Sequence, residues 1–414
     1  MRKLHYSWII LIVTFLSIIV AGIIRSSSGI FIEPFENDFG WGRANISFAF
    51  AICLFVYGAS GPFMAAFVEK YGLKRIMVSS MALLSIGLLS TYGMKQEWQL
   101  IIIWGVMIGL GSSLFLTVLS TTIANRWFVK RRGLALGILT AATATGQLIL
   151  LPVLAKILEQ SSWKSAITVI VILSIVMLVL IVVFMKESPD RLQLAAYGDD
   201  TVQPYMPQSI GNPFTHALKA LLKGLRSKVF WLLAGSFFIC GLSTSGLIGT
   251  HFVSYCISFG IPLITSATIL SMMGVFDLIG TTLSGWLSDR FDNRWLLFWY
   301  YSLRGVSLLA LPFILATGKI EWLIVFAIFY GLDWIATVPP TVGLARQHFG
   351  IENSAMMYGW MVAFHQVGAG VAAYGGGILY EVFFSYTYSF MAAGAFCLLA
   401  SLFVIVIKKQ PNAV

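Results

Sequence analysis

Twelve apolar runs recur along the chain, each about as long as a helix must be to cross a bilayer, and polar turns separate them. A spanning helix needs roughly 20 apolar residues. The runs lie at 7–31, 46–67, 76–94, 99–123, 134–157 and 165–186, then at 229–255, 263–286, 295–315, 321–344, 355–379 and 386–407. Composition agrees: 58% of the 414 residues are hydrophobic and 11% are charged, against roughly 25% charged in a soluble domain. A soluble enzyme, a nucleic-acid binder and a disordered chain are excluded. The expected fold is an all-α membrane protein with 12 transmembrane helices. The first run follows Arg2 and Lys3, is too long for a signal-peptide core and lacks a clear cleavage site, so it reads as an uncleaved first span. Cys53, Cys240, Cys256 and Cys397 lie in apolar runs without CxxC or Cys/His spacing. They read as small buried hydrophobes, and no metal or cofactor is expected.

The distribution of charge fixes orientation. With the N-terminus in the cytoplasm, 20 of the 27 basic residues fall on cytoplasmic segments. Arg43, Lys95, Lys156, Lys164 and Lys319 fall outside, and Arg25 and Arg304 fall within spans. The acidic residues divide almost evenly, with Asp277 and Asp333 in spans. This bias is the positive-inside pattern. It predicts a multi-pass protein of the cell inner (plasma) membrane with both termini cytoplasmic, and an odd number of spans would destroy it. The net charge of +10 is thus topological and implies no nucleic-acid partner.

A repeat with an offset near 220 residues divides the chain. Ala65-Ala66-Phe67-Val68-Glu69-Lys70-Tyr71-Gly72-Leu73-Lys74-Arg75 follows span 2, and Gly285-Trp286-Leu287-Ser288-Asp289-Arg290-Phe291-Asp292-Asn293-Arg294 follows span 8. Ala124-Asn125-Arg126-Trp127-Phe128 after span 4 matches Ala345-Arg346-Gln347-His348-Phe349 after span 10 at nearly the same offset. The reading is two six-helix pseudo-repeats, residues 1–186 and 229–414, joined by a cytoplasmic linker, 187–228. The linker ends in an amphipathic stretch, with Asn212 as N-cap, Pro213 at the first helical position, and Leu218, Leu221, Leu222 and Leu225 on one face.

These loops resemble the signature loop of the major facilitator superfamily. The first copy departs from it with Ala65 in place of glycine and Glu69 in place of aspartate. The stretch Asn125-Arg126-Trp127-Phe128, followed by Lys130-Arg131-Arg132-Gly133-Leu134-Ala135, is similar to the loop of oxalate:formate antiporters and monocarboxylate porters. A carboxylate at a helix end can accept from N–H groups of a neighbouring helix terminus and pair with arginine. Glu69, Arg75, Asp289, Arg290 and Arg294 are therefore candidate gating residues, with ordinary topology charge as the alternative.

Charge at a helix centre costs roughly 2.5–3.5 kcal/mol on insertion scales, so each such residue demands a partner or a role. At 1.5 Å per residue, Asp277, Arg304, Asp333 and His365 lie roughly 14–18 Å inside their spans. Arg25 lies further out, beyond the midplane. The resemblance implies that spans 1, 4, 7 and 10 line a cavity and that span 9 is a support helix. Arg25 then becomes the main ligand for a carboxylate, which its planar fork can grip through two hydrogen bonds. The alternative is snorkelling or an ion pair. Arg304 is expected to neutralise Asp333 or Asp277 as a structural ion pair. Gln147, Asp277, Asp333, His365 and Gln366 complete the candidate substrate site, with His365 and Asp277 as candidate coupling residues. His365 falls where the resemblance places a lysine, and a histidine there can change charge. The arginine that such porters carry in span 8 is replaced here by Thr281. Pro339-Pro340 should bend span 10.

The resemblance implies a secondary transporter, not an enzyme, that works by alternating access as a monomer. Its cargo would be a small organic anion, a monocarboxylate foremost, moved with a proton or against a counter-anion, with membrane lipids as its surroundings. No phosphate-binding GxxxxGK[ST] occurs. One rival is an exporter of drugs or metabolites with the same fold. Such exporters carry a Gly-Pro-x-x-Gly-Gly-like stretch in span 5, where this chain has Ala141-Ala142-Thr143-Ala144-Thr145-Gly146-Gln147. The other rival, an intramembrane lipid-modifying transferase, needs a polar catalytic cluster at the membrane surface and leaves the repeat unexplained.

Overall fold

The structure is a computed structural model that describes residues 5–115, 118–202 and 213–408. Among these residues the ordered elements are helices, and an isolated bridge joins Phe128 to Tyr197. Span 1 is two helices, α1 (Tyr6–Ser26) and α2 (Ser28–Phe39). Spans 2 and 3 are α3 (Arg43–Tyr71) and α4 (Leu73–Thr91). Span 4 begins as α5 (Glu97–Leu100), widens into a π-helix over Ile101–Ile108, and continues as α6 (Gly109–Ser113) and α7 (Val118–Trp127). Spans 5 and 6 are α8 (Arg132–Gln160) and α9 (Trp163–Phe184).

The connecting segment carries α10 (Pro213–Leu225); Asn212, its expected N-cap, lies outside the described residues. Span 7 is α11 (Lys228–Gly241), a π-helix over Leu242–Ile248, and α12 (Gly249–Ser258). Spans 8 and 9 are α13 (Leu263–Ser288) and α14 (Asn293–Ala316). Span 10 opens as α15 (Ile320–Asp333) and resumes in α16 (Val338–Phe383). A non-helical Gly350 (φ 76°, ψ 164°) inside α16 turns the chain into span 11. Span 12 is α17 (Thr387–Ile405). Ten helical stretches among the described residues are long and apolar enough to cross a membrane. In the helices of spans 5 and 11 some side chains lie outside the described set.

Apolar side chains cover the outside. Ile86, Ile172, Val179, Val306, Phe313 and Val325 are all exposed, as lipid-facing residues must be in a chain without a polar coat. Exposed tryptophans cluster near span ends, with Trp98 and Trp322 at one face and Trp231, Trp286 and Trp295 at the other, in the manner of interfacial belts. We call the face that carries residues 187–228 the linker side and the opposite face the far side. On the linker side α10 packs against α3, α11 and α16 and leaves Leu218 and Leu222 exposed.

Between the first and second halves of the chain, α3 packs along α16, α8 along α13, and α2 against α12. Lipid is as apolar as leucine, so helices associate by close backbone approach and shape fit. At two glycines that approach is extreme. A Cβ on Gly241 would stand 1.8 Å from His365 O, and one on Gly280 would stand 1.8 Å from Leu332 O. These contacts fix α11 against α16 and α13 against α15.

Gly280→Ala is expected to destabilise the purified protein by about 1–3 kcal/mol, read as a lowered Tm. Gly137→Ala, where nothing lies within 4 Å of the new Cβ, leaves Tm unchanged or raises it. Equal responses at the two sites would contradict this packing.

Candidate functional site

Three of the buried charges, Arg304, Asp333 and Asp277, gather where span 10 breaks. Pro339 and Pro340 open α16 at positions where a helix needs no N–H donor. Because proline cannot donate, Ala336 O, four residues before Pro340, loses its helical partner, and the end of α15 at Asp333 leaves Asp333 O and Trp334 O without theirs. Side chains from neighbouring spans replace them. Arg304, from α14, donates through Nη2 to Asp333 O and Trp334 O and through Nε to Asp333 Oδ2 at 2.7 Å. Its Nη1 donates to Cys240 Sγ at 2.9 Å. Ser284 Oγ donates to Ala336 O. Asp277 Oδ1 accepts from Ile335 N at 2.8 Å and from Thr281 Oγ1 at 2.9 Å. The break is thus clamped from α11, α13 and α14.

Arg304 therefore pairs with Asp333 and leaves Asp277 as the aspartate without an ion pair among the described residues. Both carboxylates are buried, at 7% exposure for Asp277 and 6% for Asp333. Asp333 Oδ1 has no hydrogen-bond partner.

Arg25 stands apart from this knot. It is the penultimate residue of α1, beside the break at Ser27, where Ser26 and Ser27 hydroxyls donate back to Gly22 O and Ile24 O. Span 1 reaches Phe39, so Arg25 lies well inside it, about 28 Å along the helix from Tyr6 and about 21 Å from Phe39. Its guanidinium lies 5.0 Å from the ring centroid of Tyr57 on α3. Among the described residues it has no hydrogen bond and no ion pair.

The second half of the chain meets the same stretch of α3. A Cβ on Gly58, next to Tyr57, would stand 2.2 Å from Gln366 Cβ, so Gln366 lies flat against the α3 backbone. Gln366 Oε1 and His365 Nδ1 are buried without partners. The His365 ring centroid lies 4.9 Å from that of Phe237. The side chain of Gln147 lies outside the described residues. Among the described residues no group of three or more His, Cys, Asp or Glu stands where it could hold a metal ion.

On the linker side, Asp289 and Arg290 are exposed at the end of α13, and Arg290 folds back over the Trp286 ring at 4.1 Å. Arg294 pairs with Asp292 at 2.6 Å and donates to Ile407 O at 2.9 Å. Arg75 is exposed, and the Glu69 side chain lies outside the described residues. The sequence reading overlooked Glu187, just past span 6. It accepts from Leu73 N at 2.6 Å and Lys74 N at 3.2 Å and pairs with Arg126 at 3.0 Å. It caps α4, whose own N-cap residue, Gly72, offers no side chain. Its position directly after an apolar run was the available signal. Tyr57 was also overlooked, and only its place in an apolar span marked it.

Two cavities stand out. One, of about 460 Å³, opens on the far side between α2, α8 and α12, with Glu33, Asn37 and Ser254 in its wall. The other, of about 320 Å³, is an apolar groove between α1, α8 and α9, lined by residues such as Leu16, Ile149 and Leu173. Arg25 lines neither.

Arg304→Met strands a carboxylate and two carbonyls and should cost about 3–5 kcal/mol of stability, measured as a fall in Tm. The double variant Arg304→Met/Asp333→Asn should recover only part of that loss, because the carbonyls stay unpaired. Full recovery would mean that Arg304 serves the ion pair alone.

Comparison with known proteins gives this architecture a family. The Major Facilitator Superfamily pattern matches residues 14–350. The chain is 25% identical over 401 residues to the uncharacterized MFS-type transporter YcxA of Bacillus subtilis (strain 168), covering 94% of this chain and 91% of that one. It is 26% identical over 403 residues to monocarboxylate transporter 13 of Rattus norvegicus, covering 96% of this chain and 87% of the relative. Its fold is similar to that of a D-xylose–proton symporter of known structure, with TM-score 0.75, 15% identity and 98% of both chains covered. The chain is an integral membrane transporter for a small-molecule substrate and belongs to the major facilitator superfamily.

Proposed function

We propose that this transporter carries a small organic anion, a monocarboxylate, by alternating access, coupled to a proton or in exchange for another anion. The observation that carries the reading is Arg25: a cation deep in span 1, stacked on Tyr57 and without a counter-charge among the described residues. The fully buried cation Arg304 is, by contrast, engaged on every side. A carboxylate supplies what Arg25 lacks, through two charge-assisted hydrogen bonds in a dry site. Similarity to monocarboxylate transporter 13 supports the same class of cargo.

In this reading Gln366 orients the anion from the opposite half and Gln147 from the half that carries Arg25. His365 and Asp277 exchange the proton, since one has a free ring nitrogen and the other has hydrogen-bond donors but no cation. Asp333 holds Arg304 and the span 10 break. Residues 1–186 and 229–414 rock as two bundles about the seams of α3 with α16 and α8 with α13. The 187–228 segment and both termini face the cytoplasm of a cell whose plasma membrane holds the protein. Arg75, Asp289, Arg290, Arg294 and Glu69 act as gating charges on that face.

Proteoliposomes loaded at neutral pH and placed in acidic buffer are expected to take up radiolabelled lactate but not a neutral sugar. Arg25→Ala should lower that uptake by about 100-fold or more, the value of two charge-assisted bonds, and Arg25→Lys should recover little of it. His365→Gln should abolish the response to a protonophore. Undiminished lactate uptake in Arg25→Ala would end the anion-site reading.

A further inference from the structure

Two helices in this structure begin at a glycine that cannot cap them. Gly72 precedes α4, and Gly42 precedes α3. The first N–H groups of a helix need acceptors from elsewhere. At α4 the acceptor is Glu187, from the same half of the chain. At α3 it is Glu381, from the last turns of α16 in the other half: Glu381 Oε1 accepts from Ala44 N at 2.7 Å. The same oxygen would lie 3.0 Å from a Cβ on Gly42.

Arg43, beside this cap, crosses the same far-side seam. It is 8% exposed. Its Nε donates to Glu36 Oε2 at 2.8 Å, and Nη2 shares that oxygen. Its guanidinium carbon lies 4.1 Å from the ring centroid of Tyr380, and Nη1 donates to Tyr386 OH at 3.4 Å. Glu36 belongs to the first half; Tyr380 and Tyr386 belong to the second. Deeper in the seam, a Cβ on Gly377 would stand 2.6 Å from Ser47 Oγ.

A helix capped by its own side chain is capped in every state of the molecule. A helix capped by a residue across a seam is capped only while the seam is closed. A negative charge at a helix N-terminus is favourable, and so is a cation over an aromatic face. Both are lost when α3 and α16 part on the far side. They are therefore interactions that differ between two conformations, as a device biasing that equilibrium must be. We propose that Glu381, with Arg43, Tyr380 and Tyr386, is the latch of the far-side-closed state, and that it works by lending α3 its helix cap. The proposal rests on the transporter fold and not on the identity of the cargo.

The full-length protein in lipid nanodiscs, spin-labelled at Lys95→Cys and Lys319→Cys, tests it by electron-paramagnetic-resonance distance measurement. Both positions are exposed on far-side loops in opposite halves, and all four native cysteines are buried. No substrate is added, so the result is independent of the carboxylate reading. The parent protein should populate mainly the short distance. Glu381→Ala should raise the ratio of long to short distances about tenfold, the scale of losing one charged cap. Glu381→Gln, which keeps an acceptor oxygen, should fall between. Gly42→Asp sets a second carboxylate against Glu381 while giving α3 a cap of its own, and should shift the ratio in the same direction. An unchanged distribution in monodisperse Glu381→Ala overturns the proposal. If that variant is not monodisperse, Gly42→Asp decides by the same two readings.

Discussion

A polar group without a partner inside a bilayer costs several kcal/mol, and that cost organises the interior of this protein. Span 10 shows it most fully. The end of α15 at Asp333 and the proline ring of Pro340 leave three carbonyls without backbone donors, and Arg304 and Ser284 provide new ones. Asp277 takes up the one freed N–H that faces it. The charges Arg304, Asp333 and Asp277 are thus tied to an irregular backbone. The π-helical stretches of spans 4 and 7 are further irregularities, and such segments are frequent at functional sites. Against this background an arginine that only rests on a tyrosine ring is the exception. Arg25 is that exception, and the transport reading turns on it.

Much of the fold was legible because hydrophobic run length and loop charge are local quantities. The spans read from 7–31 to 386–407 all coincide with helices, although their ends shift. Span 1 ends later than its apolar run suggests, because Glu33, Glu36 and Asp38 make its last turns look like a loop while α2 keeps them helical. Pro339-Pro340 marks the bend in span 10, but the helix stops earlier, at Asp333, where Arg304 takes the carbonyls of Asp333 and Trp334. The pairing of Arg304 was foreseen as one of two choices, and backbone geometry at the break selected Asp333.

What stayed hidden was nonlocal. Glu187 and Glu381 act on helices whose starts lie more than a hundred residues away in the chain. No spacing rule links an acid to a distant glycine-initiated helix. The sequence also gave no reason to single out Tyr57, which matters only because α1 and α3 bring it under Arg25. The candidate gate residues around Asp289 and Arg294 were selected by motif, and the contacts of Arg290 and Arg294 remain within the second half of the chain. Charged side chains that do cross between halves include Arg43, Glu381 and Glu159, which a charge count assigns to topology alone.

The central claim is that Arg25 is kept unpaired for an incoming carboxylate. Cryo-electron microscopy of the protein in nanodiscs with saturating lactate tests it most directly. The account predicts density for the ligand with its carboxylate about 2.7–2.9 Å from the Arg25 guanidinium, and with His365 or Gln366 on its other side. Ligand bound elsewhere, or Arg25 turned outward among lipid headgroups with the site empty, would contradict it.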